Sequence, residues 1–209
     1  KNTTQRGQLL VEASKLTWVS GDQDGALIHL EAAVEADKSQ TKALLPYFQT
    51  SIEQSPDHVQ AQALSARLET ILLRAKDMTA LDRFWRSQLE QATEEGDKIR
   101  LSCALGDLHR DELQRPESAL AFYLGAADAV SSPKSRRQVV ESLFGLVEQD
   151  NQVKGSEAHL ERIIREAGYW NDLERLFRLR ISRSQTPAEE AQLYVELAQL
   201  QIEHLDNVE

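Results

Sequence analysis

IRLSCALGDLHRDELQRPESALAFYLGA, residues 99–126, holds two apolar stripes at helical spacing with a break between them. Leu101, Leu105 and Leu108 recur every three or four residues, and Leu113 extends the stripe, so a helix is predicted over about 97–113. Pro116 suits a first helical turn, because its missing N–H has no intrahelical partner there and its φ is already near helical. A second helix is predicted from Pro116 to about 130. The connection is too short for anything but a reversal, so the two helices are expected to lie antiparallel.

The same reading extends outward in both directions. Helices are predicted over 5–19 (stripe Leu9, Leu10, Ala13, Leu16, Thr17), 25–37 (Ala26, Leu27, Leu30, Ala33, Val34), 41–54, 58–76 (Leu64, Leu68, Ile71, Leu72) and 79–93 (Leu81, Phe84, Trp85, Leu89). After the opening stretch come 133–149, 156–167, 170–183 and 187–205. Gly21 to Gly25, Ser55-Pro56-Asp57, Asp150-Asn151-Gln152 and Gly168 supply the breaks, with Gly168 placed as a C-cap. Thr186-Pro187-Ala188-Glu189 reads as an N-cap, a first-turn proline and early acids. Pro46 should kink its helix or mark its first turn.

Composition agrees. The chain has 209 residues, 41% apolar and 28% charged, with only 9 Gly, 5 Pro and 6% aromatic residues. Sheet proteins need more turn formers and more β-branched and aromatic residues. The expected class is all-α, about 11 antiparallel helices. The formal charge is −10, spread as −3 over 1–70, zero over 71–140 and −7 over 141–209. No strongly basic face is available for a polyanion, so nucleic acid is excluded as a partner. The longest apolar run is six residues, Ala119–Leu124, against the ~20 a membrane-spanning helix needs. No secretory pattern is visible at Lys1-Asn2-Thr3-Thr4. The single cysteine rules out a disulfide within the chain, and it fits a reducing cytoplasm better than an oxidising space.

An internal repeat organises these helices. Residues 68–117 align with 160–209 without a gap, and 12 of the 50 pairs are identical, Leu81/Leu173, Arg83/Arg175, Arg86/Arg178 and Leu105/Leu197 among them. The first helix matches the sixth near the same offset, Leu9 to Leu101 and Leu16 to Leu108. The second matches the seventh one residue out of step. The period is five helices, giving units of about 5–93 and 97–185 and a partial unit 187–209 within one helical domain. A unit that cannot bury its own face must stack on neighbours. The chain does not begin with Met and stops where a partner for the eleventh helix should start. It is therefore expected to come from a longer array, with an uncovered apolar flank on the eleventh helix near Leu197, Leu200 and Leu205.

Leu105-Gly106 followed by Ala119, Tyr123 and Ala126 resembles the tetratricopeptide repeat, which places small residues where two helices cross and an aromatic knob in the second helix. Ala13-Ser14 with Ala26, Leu30 and Ala33 is a weaker copy, and the pairs around Asp77–Leu81 and Trp170–Leu173 are degenerate ones. The motif's terminal proline is replaced by Asp37. The helices near 41–54 and 133–149 are similar to insertions, since pure arrays of this family count in pairs. The resemblance implies a right-handed α-α superhelix whose concave groove holds a peptide or a partner helix. The family's Asn-and-Lys carboxylate clamp is not expected, because Asn occurs only at positions 2, 151, 171 and 207.

Catalytic constellations are missing from the sequence. None of the five histidines has Glu three residues before it, and no His-Glu-x-x-His is present, so no metal and no cofactor is expected; the histidines read as solvated or capping. Cys103 lies between Leu101 and Leu105 and reads as a small buried residue. Arg83/Arg86 and Arg175/Arg178 read as ion pairs to neighbouring helices. In a tetratricopeptide-like pair the first helix lines the groove. The candidate partner-binding residues are therefore Lys15 and Trp18 on the first helix and Arg100, Asp107, Arg110 and Asp111 on the sixth. The expected function is a non-catalytic interaction scaffold. The alternative is an assembly subunit that joins copies of itself or a larger complex through its ends, including self-association at the C-terminal end.

Overall fold

A computed structural model describes residues 2–54, 58–149 and 153–205, and every regular element in them is helical. The helices are α1 (Asn2–Val19), α2 (Gln23–Ala36), α3 (Thr41–Glu53), α4 (His58–Ala75), α5 (Met78–Gln91), α6 (Glu95–Asp107), α7 (Pro116–Ala129), α8 (Pro133–Val147), α9 (Ser156–Ala167), α10 (Trp170–Arg183) and α11 (Pro187–Leu200). They form two compact units, 1–87 and 88–209, divided inside α5. In the first, α1 lies along α2, and α3 packs on α2 and α4; in the second, each helix from α6 to α11 packs on the next.

Local chemistry sets the boundaries. Asp22 accepts from the Gly25 N–H at 2.9 Å and starts α2, Asp77 accepts from Ala80 at 3.0 Å and starts α5, and Thr186 accepts from Glu189 at 3.2 Å and starts α11. Each such cap contributes about 0.5–2 kcal/mol. Asp37, at the place of the family's proline, ends α2 and also accepts from the Ser39 N–H, opening the short 3-10 turn Lys38–Gln40.

Some helix boundaries recur at a fixed offset. α7 runs from 93 residues after the start of α2 to 93 after its end, and α10 spans α5 shifted by 92. Two left-handed residues recur as well. Gly21 (φ 88°) is matched by Gln114 (φ 53°), and Gly168 (φ 69°) by Lys76 (φ 57°). A side chain in that region costs about 1–2 kcal/mol, so in each pair one copy holds the conformation without the residue that adopts it freely.

The first unit buries Leu27, Leu30, Leu44, Phe48, Leu68, Leu72 and Leu81. The second buries Tyr123, Val139, Leu143, Phe144, Leu160, Ile164, Leu173 and Phe177 in one cluster. The α6–α7 crossing is a close one. A Cβ on Gly106 would lie 2.2 Å from the Tyr123 ring. The corresponding α1 and α2 residues, Ser14 and Leu30, are both fully buried.

Three expectations need correction. The fully buried side of α1 is Gly7, Val11 and Ser14; of the expected stripe Leu10, Ala13 and Thr17 are half-buried, while Leu9 and Leu16 are 71% and 75% exposed. The small side of α1 faces α2 because it permits close approach. Second, α6 ends at Asp107, and Leu108–Glu112 forms a π turn closed by Leu113 N–H to Leu108 C=O at 3.0 Å. Third, α11 does have an open apolar flank, but Leu197 and Leu200 face inward; Tyr194 and Val195 carry it, and Ile202 is open in the π turn Gln201–Leu205 that follows.

Gly106→Ala is expected to destabilise the second unit by about 1–3 kcal/mol through overpacking. Gln114→Gly is expected to stabilise it by about 1 kcal/mol by relieving the left-handed side chain. Urea midpoints of the two variants against the parent chain check both.

Candidate functional site

The candidate residues divide between the two units. On α1, Lys15 is exposed and pairs with Glu12 at 2.6 Å, a bond that raises the Lys15 pKa above its ordinary value. Trp18, one turn on, is half-buried and set edge-on to Tyr47 of α3, ring centroids 5.0 Å apart. The packing holds the indole in place while leaving part of it open.

On α6 and its π turn, Asp107, Arg110 and Asp111 come together. The Tyr123 hydroxyl donates to Asp107 at 2.7 Å, and Arg110 Nη1 donates to the Tyr123 oxygen at 3.1 Å and to the Ser142 carbonyl at 3.4 Å. Arg110 Nε and Nη2 clamp Asp111 at 2.7 Å each, and Gln149 donates to the same carboxylate at 3.1 Å. The guanidinium lies across α8 where Gly145 has no side chain; a Cβ there would meet Nη1 at 2.6 Å. Its side chain is only 15% exposed. The Asp111 hydrogen bond raises the Arg110 pKa and the same bond lowers that of Asp111. Burial, then the bond to Asp107, pushes the Tyr123 hydroxyl well above its usual range. This network fastens α6, α7 and α8 together, and most of its donor capacity is used internally. Arg100 stands apart from it, exposed and 3.7 Å from Asp97.

The repeated arginines are ion-paired where their partners are visible. Arg175 reaches Glu141 at 3.1 Å and Glu148 at 2.5 Å on α8 and lies over the Phe144 ring at 4.0 Å. Arg178 and Arg86 pair one turn back along their own helices, with Glu174 and Asp82. An open depression of about 800 Å³ between the starts of α9 and α11 and the end of α10 is lined by Arg180, Arg183, Glu157 and Glu189. Arg180 there is engaged by Glu157 and Glu161, at 3.0 and 2.7 Å, which cancels the charge an anion would need.

Cys103 is 2% exposed, and burial pushes its thiol up to about 11, away from the thiolate a nucleophile requires. His109 corrects the expectation of solvated histidines: it is 1% exposed, its ring 5.2 Å from that of Phe122. His204 stacks on Trp170 at 3.8 Å. Among the described residues no three His, Cys, Asp or Glu side chains are grouped to hold a metal ion, and no helix is long and apolar enough to cross a membrane.

The open surface that the candidate set missed is Tyr194 and Val195 on α11, with exposed Ala191 and Ala198, and Ile202 in the π turn Gln201–Leu205 that follows it. Its signal was present as a second apolar stripe on that helix, opposite Leu197 and Leu200.

No protein-family model matches the sequence, and no curated protein matches it. One solved structure, a tetratricopeptide repeat protein from Parabacteroides merdae, is similar over 97% of this chain and 77% of its own, at 17% identity and a TM-score of 0.30. The tetratricopeptide-like character of the helix pairs is carried by the Gly106–Tyr123 crossing and the matched helix boundaries, not by that likeness.

Two outcomes test this description. Arg110→Leu is expected to cost about 1–2 kcal/mol at neutral pH, because Asp111 and the Ser142 carbonyl lose their partner. Asp111 is held below its ordinary 3.8, so its contribution is present above that value and is lost as the pH falls through the lowered one. Urea midpoints from about pH 6 to about pH 2 should show that acid loss in the parent chain and a flatter acid limb in the variant. Separately, iodoacetamide should label Cys103 only after unfolding; rapid labelling of the native chain at neutral pH would contradict the buried, protonated thiol.

Proposed function

We propose that the chain is a non-catalytic protein-interaction scaffold. It offers the open faces of the first helices of its pairs, the lining of a groove in a tetratricopeptide-like array, to a peptide or a partner helix, by shape and charge. The observation that supports this reading most is the outer side of α1. Leu9, Leu16 and Val19 are 71%, 75% and 86% exposed there, beside Lys15, while Trp18, one turn after the buried Ser14, stays half open at the α3 side of the helix. Exposed apolar side chains in such a cluster mark binding surfaces, and an aromatic anchor held by a neighbouring ring is the kind of residue that dominates interface energies. In the second unit Arg100 is the most accessible of the charged candidates, while Asp107, Arg110 and Asp111 are tied to one another and offer their open carboxylate edges. The internally paired Arg110 and Arg180 and the buried Cys103 thiol support the non-catalytic reading.

A second reading is favoured by a different observation. An assembly subunit that joins a larger complex, or copies of itself, through its terminal helices would carry apolar side chains there, and Tyr194 and Val195 of α11 and Ile202 just after it are open.

The α1 surface is tested by capture from native lysate, with the parent chain and the variants Leu16→Glu and Trp18→Ala as parallel baits. The expected result is a specific set of proteins retained by the parent chain and lost by both variants. An identical set on all three, or nothing specific retained by a chain that self-associates in light scattering, overturns the α1 surface.

A further inference from the structure

One cavity occurs in both units, at matching positions. In the first it lies between the end of α2, the turn at Lys38 and the end of α4, with a volume of about 190 Å³. In the second it lies between the end of α7, the start of α8 and α9, with about 90 Å³. Val34 and Glu35 of the first are matched 93 residues on by Ala127 and Asp128 of the second, and Ile71 is matched 92 residues on by Ile163. These are the offsets of the repeat itself.

Each cavity has the same three parts. The floor is apolar: Val34 and Ala75 are buried in the first, Val139 and Ile163 in the second. An acid stands on the rim at the same position, Glu35 or Asp128, exposed and with no side-chain partner among the described residues. A cation equally without a partner lines the same space, Lys38 and Arg74 in the first and Arg136 in the second. The remaining charges are already held, Glu31 by Arg67 and Glu166 by Arg162, the latter at 3.0 Å.

The free cation separates these cavities from an ordinary charged groove. Arg136 is half-buried, yet every other arginine of α8, α9 and α10 is ion-paired. The cations also come from unmatched positions. Glu166 stands where the repeat would put Arg74 and Ser131 where it would put Lys38, while Arg136 enters from α8. Likeness of sequence therefore does not account for a free cation in both. An acid and a cation in one cavity, left unpaired, suit a ligand that brings the opposite pair. Such a ligand has no net charge, so the −10 of the chain does not repel it. A guanidinium or an ammonium takes a carboxylate, a carboxylate takes an ammonium, and a short aliphatic group suits the floor. An α-amino acid zwitterion carries all three on one carbon.

We propose that each cavity binds a small aliphatic α-amino acid as its zwitterion. The carboxylate sits on Arg136, or on Lys38 and Arg74; the ammonium sits on Asp128 or Glu35, and the side chain lies on the apolar floor. The inference is independent of the scaffold reading and of the α1 surface.

The test is a titration of the full isotope-labelled chain with L-alanine at neutral pH, followed by amide chemical shifts. Saturable shifts are expected in both units, at residues 34–38 and 71–75 and at 127–130 and 162–166, with half-saturation at about 1–10 mM. N-acetyl-L-alanine and L-alaninamide, each lacking one of the two charges, should bind about tenfold more weakly. Arg136→Gln should remove the response of the second unit and leave that of the first, and Arg74→Gln should weaken the first and leave the second. Neither arginine has a protein partner, so folding is expected to survive, and the dispersion of the spectrum checks it. No saturable shift up to about 50 mM overturns the proposal, as do shifts in one unit only, equal binding of either blocked compound, or a second-unit response that survives Arg136→Gln. Inorganic phosphate saturating the same residues as tightly as L-alanine would assign the cations to any small anion and overturn the amino-acid site.

Discussion

A Cβ on Gly106 would sit 2.2 Å from the Tyr123 ring, so α6 and α7 approach as they do only because that position carries hydrogen. The consequences spread from this contact. With the ring seated, the Tyr123 hydroxyl reaches Asp107 and meets Arg110, and Arg110 in turn reaches the α8 backbone. Three helices are thereby tied by one aromatic side chain and one guanidinium. The buried hydroxyl needs those partners, since an unsatisfied polar group in a core costs about 1–3 kcal/mol. Apolar packing and the polar network are therefore parts of a single arrangement.

The first unit solves the same crossing with different residues. Ser14 stands for Gly106 and Leu30 for Tyr123, and the Ser14 hydroxyl turns back to the Val11 carbonyl at 2.7 Å instead of crossing to another helix. Small opposite small-to-medium gives a close contact without a polar tie. The tie between helices comes elsewhere, where the Thr41 hydroxyl of α3 donates to the Asp77 carboxylate at 2.6 Å. Asp77 also caps α5, so one carboxylate both starts a helix and joins it to an earlier one.

Much of the architecture was legible in the residues. The limits of α10 followed from Gly168 before it, and α10 spans α5 shifted by 92 residues. The π turn at Leu108–Glu112 was not legible, because Leu108 and Leu113 continue an apolar pattern that an ordinary helix also satisfies. The inward side of α1 was hidden by its having two: large leucines on one, and Gly7, Val11 and Ser14 on the other. Hydrophobicity alone favours the leucines, whereas the pairing with α2 rewards close approach. Arg110 was read as a surface charge because nothing local announces that Gly145, 35 residues later, leaves room for it.

The paired left-handed residues have a consequence for how such a chain changes length. Gly21 and Gln114 each sit one residue from the start of the next helix, with Asp22 or Arg115 between, and both hold the same backbone turn. A chain cut after one and rejoined after the other would meet an equivalent bend and an equivalent helix start. One whole period could thus be lost or gained by recombination at these hinges without a new connection having to be invented. The residues around the two turns differ, but both turns place a left-handed residue at the same distance from the next helix.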